Sequence, residues 1–192
     1  MRARAEAAAE NERAILAATV DLWREHHLQE ITLQAIAVRA GVSVRTVIRR
    51  FGSRDAVIGA AVEFEAARII AERDQASVGD IDEGLCILLR HYERDGVAVM
   101  RTLAAEDTIA VARIVVEAGR RAHRSWCARL FEPYLPPMCA GSYQSRLDTF
   151  VAATDLYLWK LLRQDLGRSV EETKRVIRAL IQGLLKRSAE RV

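Results

Sequence analysis

Hydrophobic residues recur at three- to four-residue steps along most of the chain, a pattern that predicts amphipathic helices. The first such helix is expected from about Glu10 to His27, with charged residues on its opposite side. Two short helices should follow, one after Thr32 and one over residues 44–51, because Thr and Ser are favoured helix N-caps. Gly41 lies between them, where a left-handed turn residue is needed.

A fourth helix is predicted from Arg54 to about Gln75, and the polar residues 77–80 then interrupt the pattern. Asp80 with Glu83 is a plausible capping box for the next helix, which should end near Gly96. A second capping box, of Ser169 with Glu172, should open the last helix. The intervening helices are expected over residues 97–105, 108–134 and 142–166.

Composition agrees with an all-α fold, since 51% of residues are hydrophobic, only 6% are aromatic and only three are proline. The three cysteines form no CxxC pair, and an odd number cannot close a disulfide framework. The N-terminal residues contain no continuous apolar stretch, and no later span is long enough to cross a bilayer. We therefore expect a cytoplasmic protein without a membrane anchor.

The net charge of +3 says little about partners, but its distribution says more. Between Ile31 and Arg54 no acidic residue occurs, and five residues are basic. A local field of one sign suits a polyanion, although a solvated helix face would show the same pattern. The five are Arg39, Arg45, Arg49, Arg50 and Arg54.

Residues 31–60 form a helix-turn-helix pattern, two short helices separated by a glycine-containing turn. At about 100° per residue, Val47 and Phe51 lie on one side of the second helix and pack inward, while Arg45 and Arg49 lie on the other. Two like charges four residues apart cost a helix about 0.2–0.5 kcal/mol, so local stability does not explain the pair. Arginine pairs with guanine in the DNA major groove, which would explain it.

Residues 10–64 resemble the DNA-binding region of the TetR family, the tetracycline-repressor-like transcriptional regulators. The sequence departs from the family pattern at four positions, where the family favours Gly, Tyr, Lys and Leu and this chain has Arg45, Ile48, Arg54 and Val57. Ten positions match the pattern at its fixed spacing: Thr32, Leu33, Ile36, Ala37, Ala40, Gly41, Val42, Ser43, Thr46 and Phe51.

The resemblance implies a homodimeric regulator, usually a repressor, that binds a palindromic double-stranded DNA operator and is released by a small-molecule effector. It implies a helix-turn-helix DNA-binding domain at residues 1–53, a connecting helix at 54–76, and an effector-binding and dimerisation domain at 77–192. The expected DNA-binding residues are Thr32, Ser43, Val44, Arg45, Thr46, Arg49, Arg50 and Arg54.

In the C-terminal domain, apolar residues with a few polar groups suggest an effector pocket, and a folded core would give the same composition. The candidate pocket residues are His91, Tyr92, Met100, Glu106, His123 and Trp126. Broad apolar faces on the last two helices suggest the dimer interface, and burial within one subunit is the alternative. The candidate interface residues are Phe150, Thr154, Leu158, Ile177, Leu180, Ile181 and Leu184.

No catalytic or metal-binding motif occurs in the sequence. The histidines have no HxxxH or HExxH spacing, and neither GxSxG nor GxGxxG is present. We therefore expect neither an enzyme nor a bound metal or cofactor. Two alternatives remain, a helical small-molecule-binding protein and a TetR-like protein without operator binding, the latter because Arg45 and Ile48 depart from the family pattern.

Overall fold

The computed structural model describes the backbone of residues 2–189 and the side chains of residues 6–186. This part of the chain is helical and contains no β-strand, which confirms the predicted all-α fold. None of its helices is both long and apolar enough to span a membrane. The α-helices are α1 (Arg2–Glu25), α2 (Leu33–Ala40), α3 (Val44–Phe51), α4 (Arg54–Arg73), α5 (Ile81–Ala104), α6 (Ala110–Leu130), α7 (Tyr143–Ala153), α8 (Leu156–Lys160) and α9 (Val170–Ala189). Helix α8 continues as a π-helix over Leu161–Asp165, and short 3-10 helices lie at Leu28–Glu30 and Glu132–Tyr134.

Helix α1 begins about eight residues earlier than hydrophobic spacing predicts. Its first turns are rich in Ala, Glu and Arg, which have high helix propensities. Residues 6–11 are exposed, so these turns form without a buried apolar face. The intrinsic helix propensity of these residues therefore extends α1 into a region where the spacing of hydrophobic residues predicts no helix.

The chain forms two compact units, and the first contains residues up to Arg68 together with Val97–Gly119. This division differs from the domains predicted at 1–53, 54–76 and 77–192, because Val111 and Ala112 of α6 belong to the first unit's core. The predicted domains are defined by role and stay a prediction. The buried core of the first unit consists of Ile15, Leu22, Leu28, Ile31, Ile36, Ala37, Val47, Val57, Ile58, Val111 and Ala112.

The second unit contains Ile69–Gly96 and the chain from Arg120 onward. The helix end predicted near Gly96 is wrong, because α5 continues unbroken through this residue to Ala104. A Cβ atom at Gly96 would lie 2.6 Å from two ring carbons of Trp159. The indole is held there by a 2.7 Å hydrogen bond from its Nε1 to Glu93. The glycine therefore permits close packing rather than ending the helix.

The single helix predicted over residues 142–166 is also wrong, because the chain breaks between α7 and α8. The Thr154 hydroxyl donates back to the Phe150 carbonyl at 2.7 Å. Asp155 then has an extended backbone and caps α8, its carboxylate accepting from the Tyr157 amide at 2.8 Å. Side-chain hydrogen bonds of this type compete with helical backbone bonds, which accounts for the interruption.

The predicted caps of the later helices are largely confirmed. Asp80 accepts a 3.0 Å bond from the Glu83 amide at the start of α5, but Glu83 accepts from the Ser77 amide instead of closing the box. At α9 both halves of the box are present: Ser169 accepts from the Glu172 amide at 3.2 Å, and Glu172 accepts from the Ser169 amide at 2.8 Å.

The Gly96→Ala variant should be less stable than wild type by about 1–3 kcal/mol, because a methyl group there overlaps the Trp159 ring. Gly119→Ala is the matched control, since nothing lies within 4 Å of a Cβ at this helical position. It should gain up to about 1 kcal/mol from helix propensity. Urea unfolding at fixed protein concentration measures both values, and equal stability of the two variants would contradict the close packing.

Candidate nucleic-acid interface and buried polar cluster

The turn between α2 and α3 has the capping geometry that its sequence predicts. The Thr32 hydroxyl accepts a 3.1 Å bond from the Ala35 amide, and Ser43 accepts one of 3.1 Å from the Thr46 amide. Gly41 has a left-handed backbone with φ of 67°, which a side chain would strain. Thr32, Ser43 and Thr46 therefore all have structural roles in forming the helix-turn-helix.

Burial of one face sets the orientation of α3. Val47 is fully buried in the first unit's core, and Phe51 and Val44 pack against that core while half-buried. This confirms the predicted inward face. Arg45 and Arg49 lie on the opposite, exposed face.

The exposed face of α3 also contains Ile48, which is 44% exposed. Arg45, Ile48 and Arg49 are spaced at i, i+3 and i+4 and so lie side by side on the helix surface. In the sequence, Ile48 stands out only as a departure from the family pattern. Its exposure instead makes it part of the same surface as the two arginines.

Two of the five clustered arginines form ion pairs with acidic residues of α1. Arg39 donates two bonds to the Glu25 carboxylate, of 3.0 and 2.7 Å, and these hold the pKa of that carboxyl below its usual value. Arg50 pairs with Glu12. Exposed pairs of this kind are screened by solvent and add little to stability, so they orient side chains more than they stabilise the fold.

Arg54 is bound to the protein's own backbone. Its Nε donates to the Ile31 carbonyl at 2.6 Å, its Nη2 donates to the Leu28 carbonyl, and its Nη1 lies 2.8 Å from the Asp55 carboxylate. Leu28 and Ile31 are buried. Arg54 thereby ties the segment before α2 to the start of α4.

Arg45 and Arg49 differ from the other three because neither has an ion pair among the described side chains. Both are exposed on the same face of one short helix. The structure thus separates the arginine cluster into three residues with partners inside the protein and two directed to solvent. Sequence spacing alone did not make that distinction.

A second group of polar residues is buried in the second unit around Arg73, near the end of α4. Its side chain is 5% exposed, and its two terminal nitrogens lie 2.8 Å from Nδ1 of His91 and 3.4 Å from Nδ1 of His123. The guanidinium carbon lies 5.1 Å from the centre of the Trp126 ring, within cation–π distance. The cluster therefore combines a buried cation with imidazole and indole rings.

Three further residues complete the cluster. The Tyr92 hydroxyl donates to the Thr154 carbonyl at 2.9 Å, and the Thr154 hydroxyl lies 3.2 Å from Nε2 of His123 and 3.4 Å from Sγ of Cys127. Burial, together with the charge of Arg73, lowers the pKa of His123 to about 3. Burial raises the pKa of the Cys127 thiol to about 12. His123 and Cys127 are consequently neutral near neutral pH. Burial lowers the pKa of Arg73, but an arginine guanidinium keeps its charge in proteins.

Arg73 is not among the predicted site residues, because it falls within the predicted connecting helix at 54–76. A signal was present, since Arg73 follows Ala66 and Ile69 and precedes Ala76 at helical spacing. Ala76 is buried, and Ala66 and Ile69 are half-buried. The arginine therefore lies on the inward-facing, apolar side of the helix. Arginine is rarely buried in such a position, so its presence there is a signal of a candidate binding site.

The predicted pocket residues do not all join this cluster. His91, Tyr92, His123 and Trp126 surround Arg73, whereas Met100 and Glu106 belong to the first unit. A surface cavity of about 510 Å³ contains none of the six and is lined by residues 79–82 with Arg178, Gln182 and Leu185. No group of three or more potential metal ligands occurs among the described side chains.

The predicted dimer residues separate into buried and accessible groups. Phe150, Thr154, Ile177 and Ile181 are fully buried in the subunit's own structure. Leu180 is 46% exposed, and Leu158 and Leu184 are half-buried. Only the second group has apolar surface left for a partner.

Comparison with known families adds one match. Residues 15–61 match the model of a family described as bacterial regulatory proteins, tetR family. This segment contains α2, α3 and the exposed arginine pair. No curated protein matches the sequence at a significant level.

Several solved structures share the fold along nearly the whole chain. A candidate TetR-family transcriptional regulator from Rhodococcus sp. is 18% identical, with a TM-score of 0.71, over 92% of this chain and 99% of that one. A candidate transcriptional regulator from Pseudomonas aeruginosa PAO1 is 15% identical, with a TM-score of 0.69, over 94% and 92%. A TetR transcription regulator from Haloarcula marismortui ATCC 43049 is 17% identical, with a TM-score of 0.62, over 91% and 96%.

Arg54→Met should lower the free energy of unfolding by about 1–3 kcal/mol, because it leaves the buried Leu28 and Ile31 carbonyls without their donor. Arg45→Met, which removes an exposed arginine without an ion pair, should change stability by no more than about 0.5 kcal/mol. Urea unfolding followed by circular dichroism compares them. A loss in Arg45→Met equal to that in Arg54→Met would show that Arg54 has no special structural role.

Proposed function

We propose that this protein is a transcriptional repressor, because residues 15–61 match the model of the tetR family of bacterial regulatory proteins and 92% of the chain shares the fold of a candidate TetR-family regulator. It binds a palindromic operator in double-stranded DNA as a homodimer, and a small-molecule effector releases it. Its compartment is the cytoplasm, since that is where it meets the chromosome. The observation that carries the proposal is the exposed pair Arg45 and Arg49 on the second helix of the motif.

Helix α3 is the recognition helix in this proposal. A helix of this kind enters the major groove, where an arginine can donate two hydrogen bonds to O6 and N7 of guanine. Arg45 and Arg49 suit this role because no acidic side chain competes for them. Ile48, exposed between them, suits contact with a thymine methyl group.

The remaining predicted DNA residues have supporting roles. Ser43, Thr32 and Thr46 form the caps and turn that fix α3, and Val44 begins the helix half-buried. Arg50 remains exposed although it pairs with Glu12, so it is available for a phosphate contact after exchange of partners. Arg54 acts mainly by anchoring the start of α4.

Dimerisation is supported by apolar surface on the last helices. Val176 is 39% exposed and Leu180 is 46% exposed, one turn apart on α9. Tyr157 is 57% exposed and Leu161 is 44% exposed, again one turn apart. Two such faces from identical chains can pack against each other in a two-fold interface, which would align two recognition helices with successive half-sites.

Release by an effector requires two states of the dimer with different affinity for DNA. An effector that binds only the state with mismatched recognition helices shifts the population toward it. The cluster around Arg73 is the proposed effector site, because it brings together four of the six residues expected for the pocket. Met100 and Glu106 have no assigned part in it.

The DNA-binding proposal predicts distinct effects for the arginines of the motif. Arg45→Ala and Arg49→Ala should each weaken binding to a specific site by about 1–3 kcal/mol and relax base preference at one position. Arg50→Ala should weaken specific and random DNA alike and reduce the salt slope by about one. Arg90→Ala, an exposed arginine of α5, is the control and should change neither.

The measurement begins with selection of a binding site from random duplexes by the purified protein, followed by fluorescence anisotropy on selected and scrambled DNA at several salt concentrations. Identical behaviour of all four variants on both DNAs would contradict the assigned roles. Failure to enrich any duplex would overturn the repressor proposal and favour a helical small-molecule-binding protein.

The dimer proposal predicts that Leu180→Glu lowers the sedimenting mass from twice 21.5 kDa to 21.5 kDa, because it introduces a charge into an apolar interface. Ile114→Glu, at a 62% exposed residue of the first unit, is the matched control and should leave the dimer intact. Sedimentation velocity at micromolar concentration reports both. A monomeric wild-type protein would refute the interface.

A further inference from the structure

Arg73 is a buried cation without an acidic partner. Its side chain is 95% buried, and its Nε has no hydrogen-bond partner among the described residues. Its other two nitrogens lie within hydrogen-bond distance of imidazole nitrogens of His91 and His123, and the guanidinium also interacts with the Tyr92 hydroxyl. The fully buried Asp95 carboxylate lies 3.6 Å from the other ring nitrogen of His91, Nε2, and accepts a 2.9 Å bond from Nε of Arg94.

A second unsatisfied donor belongs to the same cluster. Nε1 of Trp126 is buried without a hydrogen-bond partner in the described part of the chain, and the Trp126 ring lies 5.1 Å from the Arg73 guanidinium carbon. Buried donors are nearly always paired, so two neighbouring exceptions indicate a missing acceptor. The two residues come from different helices, α4 and α6, so no single backbone segment accounts for both unpaired donors.

We infer that this cluster binds the carboxylate of a small organic acid, and that such an acid is the effector of the regulator proposed above. The effector role of the acid rests on that proposed function, whereas the binding of the acid does not. A carboxylate supplies one negative charge and two acceptor oxygens, which match one guanidinium and two unpaired N–H donors. A cationic ligand would be repelled, and a neutral apolar ligand would leave both donors unpaired.

The aromatic side chains around Arg73 indicate the chemistry of the rest of the acid, beyond its carboxylate. The rings of His123 and Trp126 stack at 5.7 Å, and Trp126 meets Phe131 edge-on at 6.3 Å. Phe131 in turn stacks on Phe150 at 4.3 Å. An apolar or aromatic acid suits these neighbours, whereas a phosphate dianion would need more than one buried cation.

The same helix offers a route from this site to the DNA-binding motif. Helix α4 begins at Arg54, three residues after the end of α3, and continues without interruption to Arg73. At 1.5 Å per residue its length is about 30 Å. Arg73 and Arg54, three residues after the recognition helix in the chain, thus belong to one continuous helix.

The test uses the full-length protein with benzoate, phenylacetate and octanoate, each compared with its neutral amide. At least one acid should titrate to one molecule per chain by calorimetry and raise the melting temperature, and its amide should do neither. Arg73→Gln should weaken acid binding by about 10- to 100-fold, the range for loss of charged hydrogen bonds. Arg90→Gln, an exposed arginine of α5, should bind as wild type does.

Trp126→Phe is a second variant that keeps an aromatic ring and removes the unpaired donor together with the five-membered part of the indole, so it serves if Arg73→Gln does not fold. It should weaken the acid several-fold and leave any residual amide binding unchanged. Binding of no acid, equal binding of acid and amide, or full binding in the folded Arg73→Gln protein would each overturn the inference. Inorganic phosphate that competes as strongly as the acid would also overturn it.

Anisotropy on the selected DNA separates this inference from the proposed function. Operator binding without any acid binding leaves the repressor proposal standing and removes the carboxylate site. Acid binding that does not weaken the DNA complex leaves the carboxylate site standing and removes its role as effector. Acid binding together with release of DNA supports both.

Discussion

Burial of Val47 is the constraint on which the DNA-binding face depends. Val47 is fully buried in a core that also contains Ile15 and Ile36, so α3 cannot rotate without exposing it. Because side chains follow each other at about 100° on a helix, this single contact fixes Arg45 and Arg49 on the solvent side. The caps at both ends of the turn keep α3 at the register that this packing requires.

Once α3 is fixed, acidic residues of α1 and backbone carbonyls assign different roles to chemically identical arginines. Arg39 and Arg50 pair with carboxylates on the surface, where the energetic gain is small. Arg54 bonds to carbonyls of buried residues, where the loss of a donor is costly. Arg45 and Arg49 are left for an external anion, which is the physical basis of the proposed recognition.

In the second unit, several polar side chains are buried between helices. Tyr92, Thr154, His123 and Cys127 satisfy one another or the backbone, so their burial costs little. Arg73 and Trp126 are the exceptions, because each has a buried N–H without a hydrogen-bond partner among the described residues, and Arg73 also carries the charge of a guanidinium. Retaining an unpaired buried charge is expensive unless a ligand compensates it, and this is why the cluster points to an anion.

Local rules account for what the sequence alone determined: the helical class, the caps at Thr32, Ser43 and Ser169, the boundaries of α2 and α3, and the outward pair of arginines. Periodicity, propensity and capping depend on neighbours within one turn, and those neighbours are visible in the sequence.

The tertiary structure decided everything that depends on distant partners. It made Gly96 a packing contact for Trp159 instead of a helix end, and broke the helix predicted over residues 142–166. It buried Ile177 and Ile181 within the subunit while leaving Leu180 exposed, although all three lie on one predicted apolar stripe. It also assembled the Arg73 cluster from four separate segments. Such contacts join residues tens of positions apart, and periodicity identifies which face of a helix is buried but not what covers it.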